Sequence, residues 1–315
     1  MIDLSGKWAI EYKNGDVSVS GTMYLPGIMQ NAGFGNPVNK ETEFVSSLHD
    51  PDWFLWDEFA CDETNVNVPF LLQPRRHFVG VCNYSVEFEV TEDLTEDHFL
   101  FIEVTRRESK VYLDGSFAGG DESLCAPHMI RLGKLTAGVH KLTVSIDNTT
   151  GHKFRPDAHT VSDSVGASWN GMVGEIVLLS ETEIKDRYKR KHEYAENHKR
   201  TVEVKDGNFY VDGKPEYMRG SHFGGEFPVT GAPSTDKEYY LQIFNTLKDW
   251  GFNMVRCHSY CPPEAMFAAA DECGMFLLIE CGMWSTFGEG FEVIDFLKSE
   301  TRKILKEFGH HPSFI

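Results

Sequence analysis

The sequence lacks any apolar run long enough to cross a bilayer as a helix. Its opening, MIDLSGKWAI, has neither the basic n-region nor the apolar h-region of a signal peptide. With Met1 as the start, the expected location is the cytoplasm. Positive charge is in deficit: 30 Lys and Arg against 48 Asp and Glu leave a formal charge of −18. That argues against nucleic acid or an anionic membrane as a partner. No C-x-x-C pair occurs, and the seven cysteines are odd in number and irregularly spaced, which disfavours a disulfide framework. Four of them, Cys257, Cys261, Cys273 and Cys281, lie near His258 and raise the question of zinc. The strand-helix-strand pattern there spreads the thiols over several faces, so buried small apolar groups are expected and no metal.

What is present falls into two rhythms. Up to about residue 180, short segments alternate apolar and polar residues: YSVEFEV (84–90), SKVYLDG (109–115), HKLTVSID (140–147) and GEIVLL (174–179). Turns rich in Gly, Asp and Asn separate them, which reads as a β-sandwich over 1–180. Residues 181–200 are almost wholly polar and read as a linker or solvated crossing.

From 201 to 315 the order becomes β-α-β-α-β-α-β. VEVKDGNFYVDGK is a hairpin turning at Asp206-Gly207. In STDKEYYLQIFNTLKDWG, Thr235 and Glu238 have capping-box spacing. Tyr239, Tyr240, Ile243, Phe244, Leu247 and Trp250 form one apolar stripe, and Gly251 ends the helix. Regular alternation implies parallel strands with right-handed crossovers. A doubly wound sheet and the first part of a (β/α)8 barrel both fit. The absence of G-x-G-x-x-G after the first strand weakens a nucleotide-binding version.

In either architecture functional groups gather at the C-terminal ends of the strands. That rule selects His222, then Arg256 with His258, then Glu280 with Trp284. Arg supplies a planar donor fork, His a neutral donor or acceptor, Glu a bidentate acceptor, and Trp a flat face suited to a sugar ring. Each also has a plain structural role: His222 as a packing histidine, Arg256 as the ion-pair partner of Glu280, Trp284 as core. Glu226 is a further rim carboxylate.

Taken in order, these segments resemble the N-terminal part of glycoside hydrolase family 2, the family of β-galactosidases, β-glucuronidases and β-mannosidases. LSGKWAI, YLPGIMQNAGFG, CNYSVEFEV, VYLDGSFAGG, LTAGVHKLTVSIDN and SWNGMVGEIVLL are similar to successive parts of its sugar-binding jelly roll. FYVDGKPEYMRGSHF, LKDWGFNMVRCHSY, AADECGMFLLIE and HHPSFI resemble the entry and first units of its catalytic barrel. The resemblance implies a multidomain β plus α/β protein: a jelly-roll β-sandwich followed by the first half of a (β/α)8 TIM barrel. It also implies an exo-acting, retaining hydrolase of O-glycosidic bonds with a carbohydrate substrate and no organic cofactor; some relatives bind Mg²⁺ or Na⁺.

By the resemblance, Arg256 matches the arginine ending the second barrel strand, and His222 stands where the family has an active-site histidine or asparagine. His258 lies near the family's next histidine, although RCHSY is shifted by one place. Asp163 resembles an acidic residue reaching from the jelly roll into the barrel mouth; its alternative is a solvated loop aspartate. The immunoglobulin-like domain usual in the family has no room in 181–200. The acid/base and nucleophile glutamates of the family fall beyond Ile315, so no catalytic residue is assigned. The chain is expected to stop within the fourth barrel strand and to be inactive alone. The rival expectation is a non-catalytic carbohydrate-binding jelly-roll protein with a vestigial barrel.

Overall fold

A computed structural model describes residues 1–38, 42–44, 76–149, 161–163, 169–225, 227, 230–281 and 292–315. In the N-terminal half the strands are β1 (Ile2–Asp3), β2 (Gly6–Asn14), β3 (Val17–Leu25), β4 (Gly27–Ile28), β5 (Asn36–Pro37), β6 (Arg76–His77) and β7 (Val81–Val90). They continue with β8 (His98–Thr105), β9 (Glu108–Leu113), β10 (Ser116–Asp121), β11 (His128–Gly133), β12 (Gly138–Asp147) and β13 (Gly171–Ser180).

One sheet runs β10-β9-β12-β7-β2-β3, and the facing sheet runs β1-β13-β8-β11 with β4 beside β13. Alternation decides what lies between them. Trp8, Ile10 and Tyr12 of β2, Cys82 and Tyr84 of β7, and Leu142, Val144 and Ile146 of β12 point inward. They meet Leu100 and Ile102 of β8 and Ile176 and Leu178 of β13. The Trp8 indole N–H donates to the Leu4 carbonyl at 2.8 Å, so its one polar atom is satisfied.

The outer face of the β8/β13 sheet is also apolar, with Phe101, Val177 and Leu179 buried. The polar segment after β13 covers it. This segment is a helix, α1 (Glu181–Asn197), started by a capping box in which Ser180 Oγ accepts from the Glu183 N–H and Glu183 accepts from the Ser180 N–H. Ile184 packs on the apolar patch, and the Arg187 guanidinium lies 4.2 Å from the Phe101 ring centroid.

Beyond α1, β14 (Val202–Lys205), β15 (Asn208–Val211) and β16 (Lys214–Glu216) form an antiparallel meander. Asp206 and Gly207 both take positive φ at its first turn, the requirement of a type I′ hairpin. Then come β17 (Gly220–Phe223), α2 (Lys237–Asp249), β18 (Met254–Cys257), α3 (Glu264–Cys273), β19 (Phe276–Ile279) and α4 (Glu292–Phe308). β17, β18 and β19 are parallel neighbours. Phe314 adds a parallel bridge to Leu277, with Leu277 N–H donating to Ser313 O and Ile315 N–H to Leu277 O. PSFI thus takes the place of a further parallel strand.

Two details differ from the sequence reading of α2. Its N-cap is Asp236, whose carboxylate accepts from the Glu238 N–H, one residue beyond Thr235. Its stripe ends before Trp250, which is 72% exposed, because the helix stops at Asp249 and Trp250 is its C-cap. Tyr240 and Phe244 are buried as the spacing requires.

The halves are joined at α4. The Glu300 carboxylate accepts from Ser123 Oγ at 3.0 Å and from the Leu124 and Cys125 N–H groups at 2.9 Å each. Lys303 pairs with Asp121 beside it.

Candidate active-site rim

The register of the parallel strands sets which side chains share a face. His222 lies beside Arg256, and Arg256 beside Leu278. The alternate set, Phe223, Val255, Cys257, Leu277 and Ile279, faces α2 and α3 and packs with Tyr240, Phe244 and Phe267. Helices therefore take one face, and His222 and Arg256 are left exposed on the other. Glu280, two residues past Leu278, keeps that parity.

At the rim these groups meet. Arg256 Nε and Nη2 donate to Glu280 Oε1 at 2.8 and 2.7 Å. Ser259 takes φ 52°, turning the chain sharply after β18, and its N–H donates to Glu280 Oε2 at 2.7 Å. Burial alone would raise the Glu280 carboxyl, but the Ser259 N–H and Arg256 outweigh it and hold the group below its ordinary range. An ionised carboxylate with both oxygens engaged is an orienting acceptor and a poor proton donor. The Arg256–Glu280 pair foreseen as a structural alternative is thus formed, while the guanidinium side chain stays 47% exposed. The His222 and His258 rings stand edge to face, 4.9 Å between centroids. The backbone N–H of His258 donates to the Phe223 carbonyl at 2.8 Å.

Asp163 lies elsewhere, at the junction with the sandwich. It is 1% exposed and bonds His77 Nε2 at 3.0 Å, so it is not a solvated loop residue. The neighbouring Val161 packs in the same apolar cluster as Phe227 and Tyr260 of the α/β half, and its carbonyl accepts from Arg107. Burial, reinforced by the like charge of Arg106, lowers the Arg107 guanidinium to about 9, with Asp163 opposing. His77 and Arg107 were not singled out from sequence. The buried Arg106-Arg107 pair between two strands was the available signal; His77 gave none. Trp284 and Glu226 lie outside the described residues.

Of the cysteines near His258, Cys257 and Cys261 are buried, and burial pushes both thiols well up. No described helix is long and apolar enough to cross a membrane.

Comparison with known proteins places these features. Residues 202–304 match the family described as Glycosyl hydrolases family 2, TIM barrel domain. A β-galactosidase of Thermoanaerobacter pseudethanolicus is 30% identical over 115 residues, covering 36% of this chain and 15% of that enzyme. The fold is similar to a Ruminococcus gnavus β-glucuronidase solved with N1-substituted uronic isofagomine, at TM-score 0.64 and 13% identity over 99% of this chain. It is also similar to an Eisenbergiella tayi β-galacturonidase solved with galacturonate, at TM-score 0.61 and 14% identity over 99% of this chain. The chain spans 66% and 63% of those two proteins. The match of residues 202–304 to the barrel domain of glycoside hydrolase family 2 and the similarity in fold over the rest agree with the order of segments in the sequence.

Proposed function

We propose that this chain supplies the sugar-binding sandwich and the substrate-positioning part of the barrel of a retaining exo-β-glycosidase. The observation that carries the reading is the rim itself: His222, Arg256 and Glu280 brought to one face and one end of three parallel strands. That is where barrel enzymes gather their chemistry. Arg256, steadied by Glu280, would present fixed donors to sugar hydroxyls, and the paired rings of His222 and His258 would add a donor or acceptor and a flat apolar edge. Retaining hydrolysis further needs two carboxyl groups ~5–5.5 Å apart, one protonating the leaving oxygen and one attacking the anomeric carbon. Glu280 is already committed to Arg256 and Ser259 and is assigned to neither role.

The test is hydrolysis of aryl β-glycosides, including uronides, by the protein that carries this chain, with product stereochemistry followed by NMR. Net retention is expected, and Arg256→Ala should lower kcat/KM about 10- to 100-fold, roughly 1.4–2.7 kcal/mol of transition-state stabilisation. The 315-residue chain alone should show no turnover. If the protein binds β-glycosides but hydrolyses none, the carbohydrate-binding reading replaces the enzymatic one.

A further inference from the structure

Away from the rim, where α1, α3 and the turn after α4 meet, lies a cavity of about 410 Å³ lined by Arg187, Lys191, Tyr194, Glu264, His310 and His311, among others. Glu264, His310 and His311 each offer one ligand atom, and these atoms lie within 4.8 Å of one another. Glu264 Oε1 stands 3.5 Å from His310 Nε2 and 2.8 Å from His311 Nε2. We propose that these three side chains form a zinc site, with a fourth position open to the cavity.

Four features support it. First, zinc at ~2.0–2.2 Å from each donor requires tetrahedral ligand atoms ~3.3–3.5 Å apart. The Glu264–His310 distance already fits, the Glu264–His311 distance must open by about half an ångström as the metal replaces the shared proton, and the two histidine ligand atoms, within 4.8 Å of each other, close onto the metal. Second, His311 carries the outer partner that a metal-bound histidine needs. Its Nδ1 lies 2.7 Å from Asp271 Oδ2, and Asp271 is held in turn by the Tyr194 hydroxyl and the Ser313 N–H. A carboxylate behind the ring fixes its orientation and strengthens the other nitrogen as a ligand. Third, His310 is poorly satisfied as it stands. Its side chain is only 11% exposed, its Nε2 is at the edge of hydrogen-bond range, and its Nδ1 meets no partner among the described residues. A buried imidazole in that condition gains from a ligand.

Fourth, three of the four cations lining the cavity, all but Arg190, are paired with carboxylates. Lys191 lies 3.7 Å from Glu264 Oε2, but it also pairs with Glu307 at 3.1 Å. Arg187 is matched by Glu175, and Lys237 by Glu272. Two nitrogens and one carboxylate with an open position is the donor set of a zinc centre that keeps water or an anion as its fourth ligand.

The site is tested by titrating zinc alone into the chelator-treated 315-residue chain by calorimetry, and by substituting cobalt(II) and recording its visible absorption. One equivalent should bind, with intense tetrahedral-type cobalt bands and a higher Tm in excess zinc. His310→Asn should weaken binding at least about 30-fold and abolish the cobalt bands, while its circular dichroism and metal-free Tm remain those of the parent. Glu264→Gln provides a second removal of a ligand should the first variant misfold. Absence of stoichiometric binding, or zinc affinity and cobalt spectra unchanged in folded variants, would overturn the proposal.

Discussion

The sandwich and the parallel sheet use their faces differently. In the sandwich, the β8/β13 sheet is covered on both sides, by the opposing sheet within and by α1 outside. In the α/β half, helices cover one face of β17–β19, and the opposite face is left with His222 and Arg256 exposed. Apolar burial explains the first arrangement completely. It cannot explain a sheet face on which an arginine and a histidine share a register level. The contrast is the physical ground for the proposed site: His222 and Arg256 stand where packing stops accounting for residue choice.

The largest effects should come from the two cores. Trp8→Ala removes a fully buried indole and should cost about 3–5 kcal/mol in denaturant unfolding. Phe244→Ala, equally buried against β18, should cost about as much. A much smaller loss at Phe244 would show that the parallel sheet is held less tightly than the sandwich and would break the comparison. Next is Glu300→Ala, which leaves the Leu124 and Cys125 N–H groups without their acceptor and should cost about 2–3 kcal/mol. Calorimetry should then show the two halves melting in separate transitions. Ser180→Ala removes the capping box of α1 and should cost about 1 kcal/mol.

The smallest effect is in pH dependence, where the two glutamates act with opposite sign. The Glu280 carboxyl is held low, so its contribution is complete above the ordinary glutamate value of about 4.3 and is lost as pH falls through the folded value. Glu300 is held high by burial, despite its hydrogen bonds, so stability declines as pH rises from about 4.3 through its folded value. Unfolding midpoints measured against pH should show a slightly shallower acid-side rise in Arg256→Ala and a weaker decline above it in Glu300→Gln. The Arg256 effect should stay below about 1 kcal/mol, because the pair is half-exposed.

Much of this was legible in the sequence, for identifiable reasons. The sandwich strands alternate because their residues face core and solvent in turn, so YSVEFEV and HKLTVSID fall within β7 and β12. The rim residues were found because strand ends are positions that parity and topology fix together. Helix α1 was not read as a helix: none of its residues is fully buried, and Ile184 is its one aliphatic side chain on the apolar patch of the sandwich. Its order comes from the capping box and pairs such as Glu181–Lys185, which are weak signals against a polar background. The shift of the α2 cap from Thr235 to Asp236 reflects two adjacent side chains with similar capping ability. The Glu264–His310–His311 cluster was hidden because its members are 46 residues apart in the chain, and only the fold brings them together.

The grip of Glu300 on the sandwich has a consequence for time rather than energy. The Leu124 and Cys125 amides are shielded by a carboxylate from the other half of the molecule. Their hydrogen exchange should therefore follow separation of the halves, not fraying of their own loop. Two backbone protons thus act as a clock for how often the junction between the sandwich and the parallel-sheet half opens.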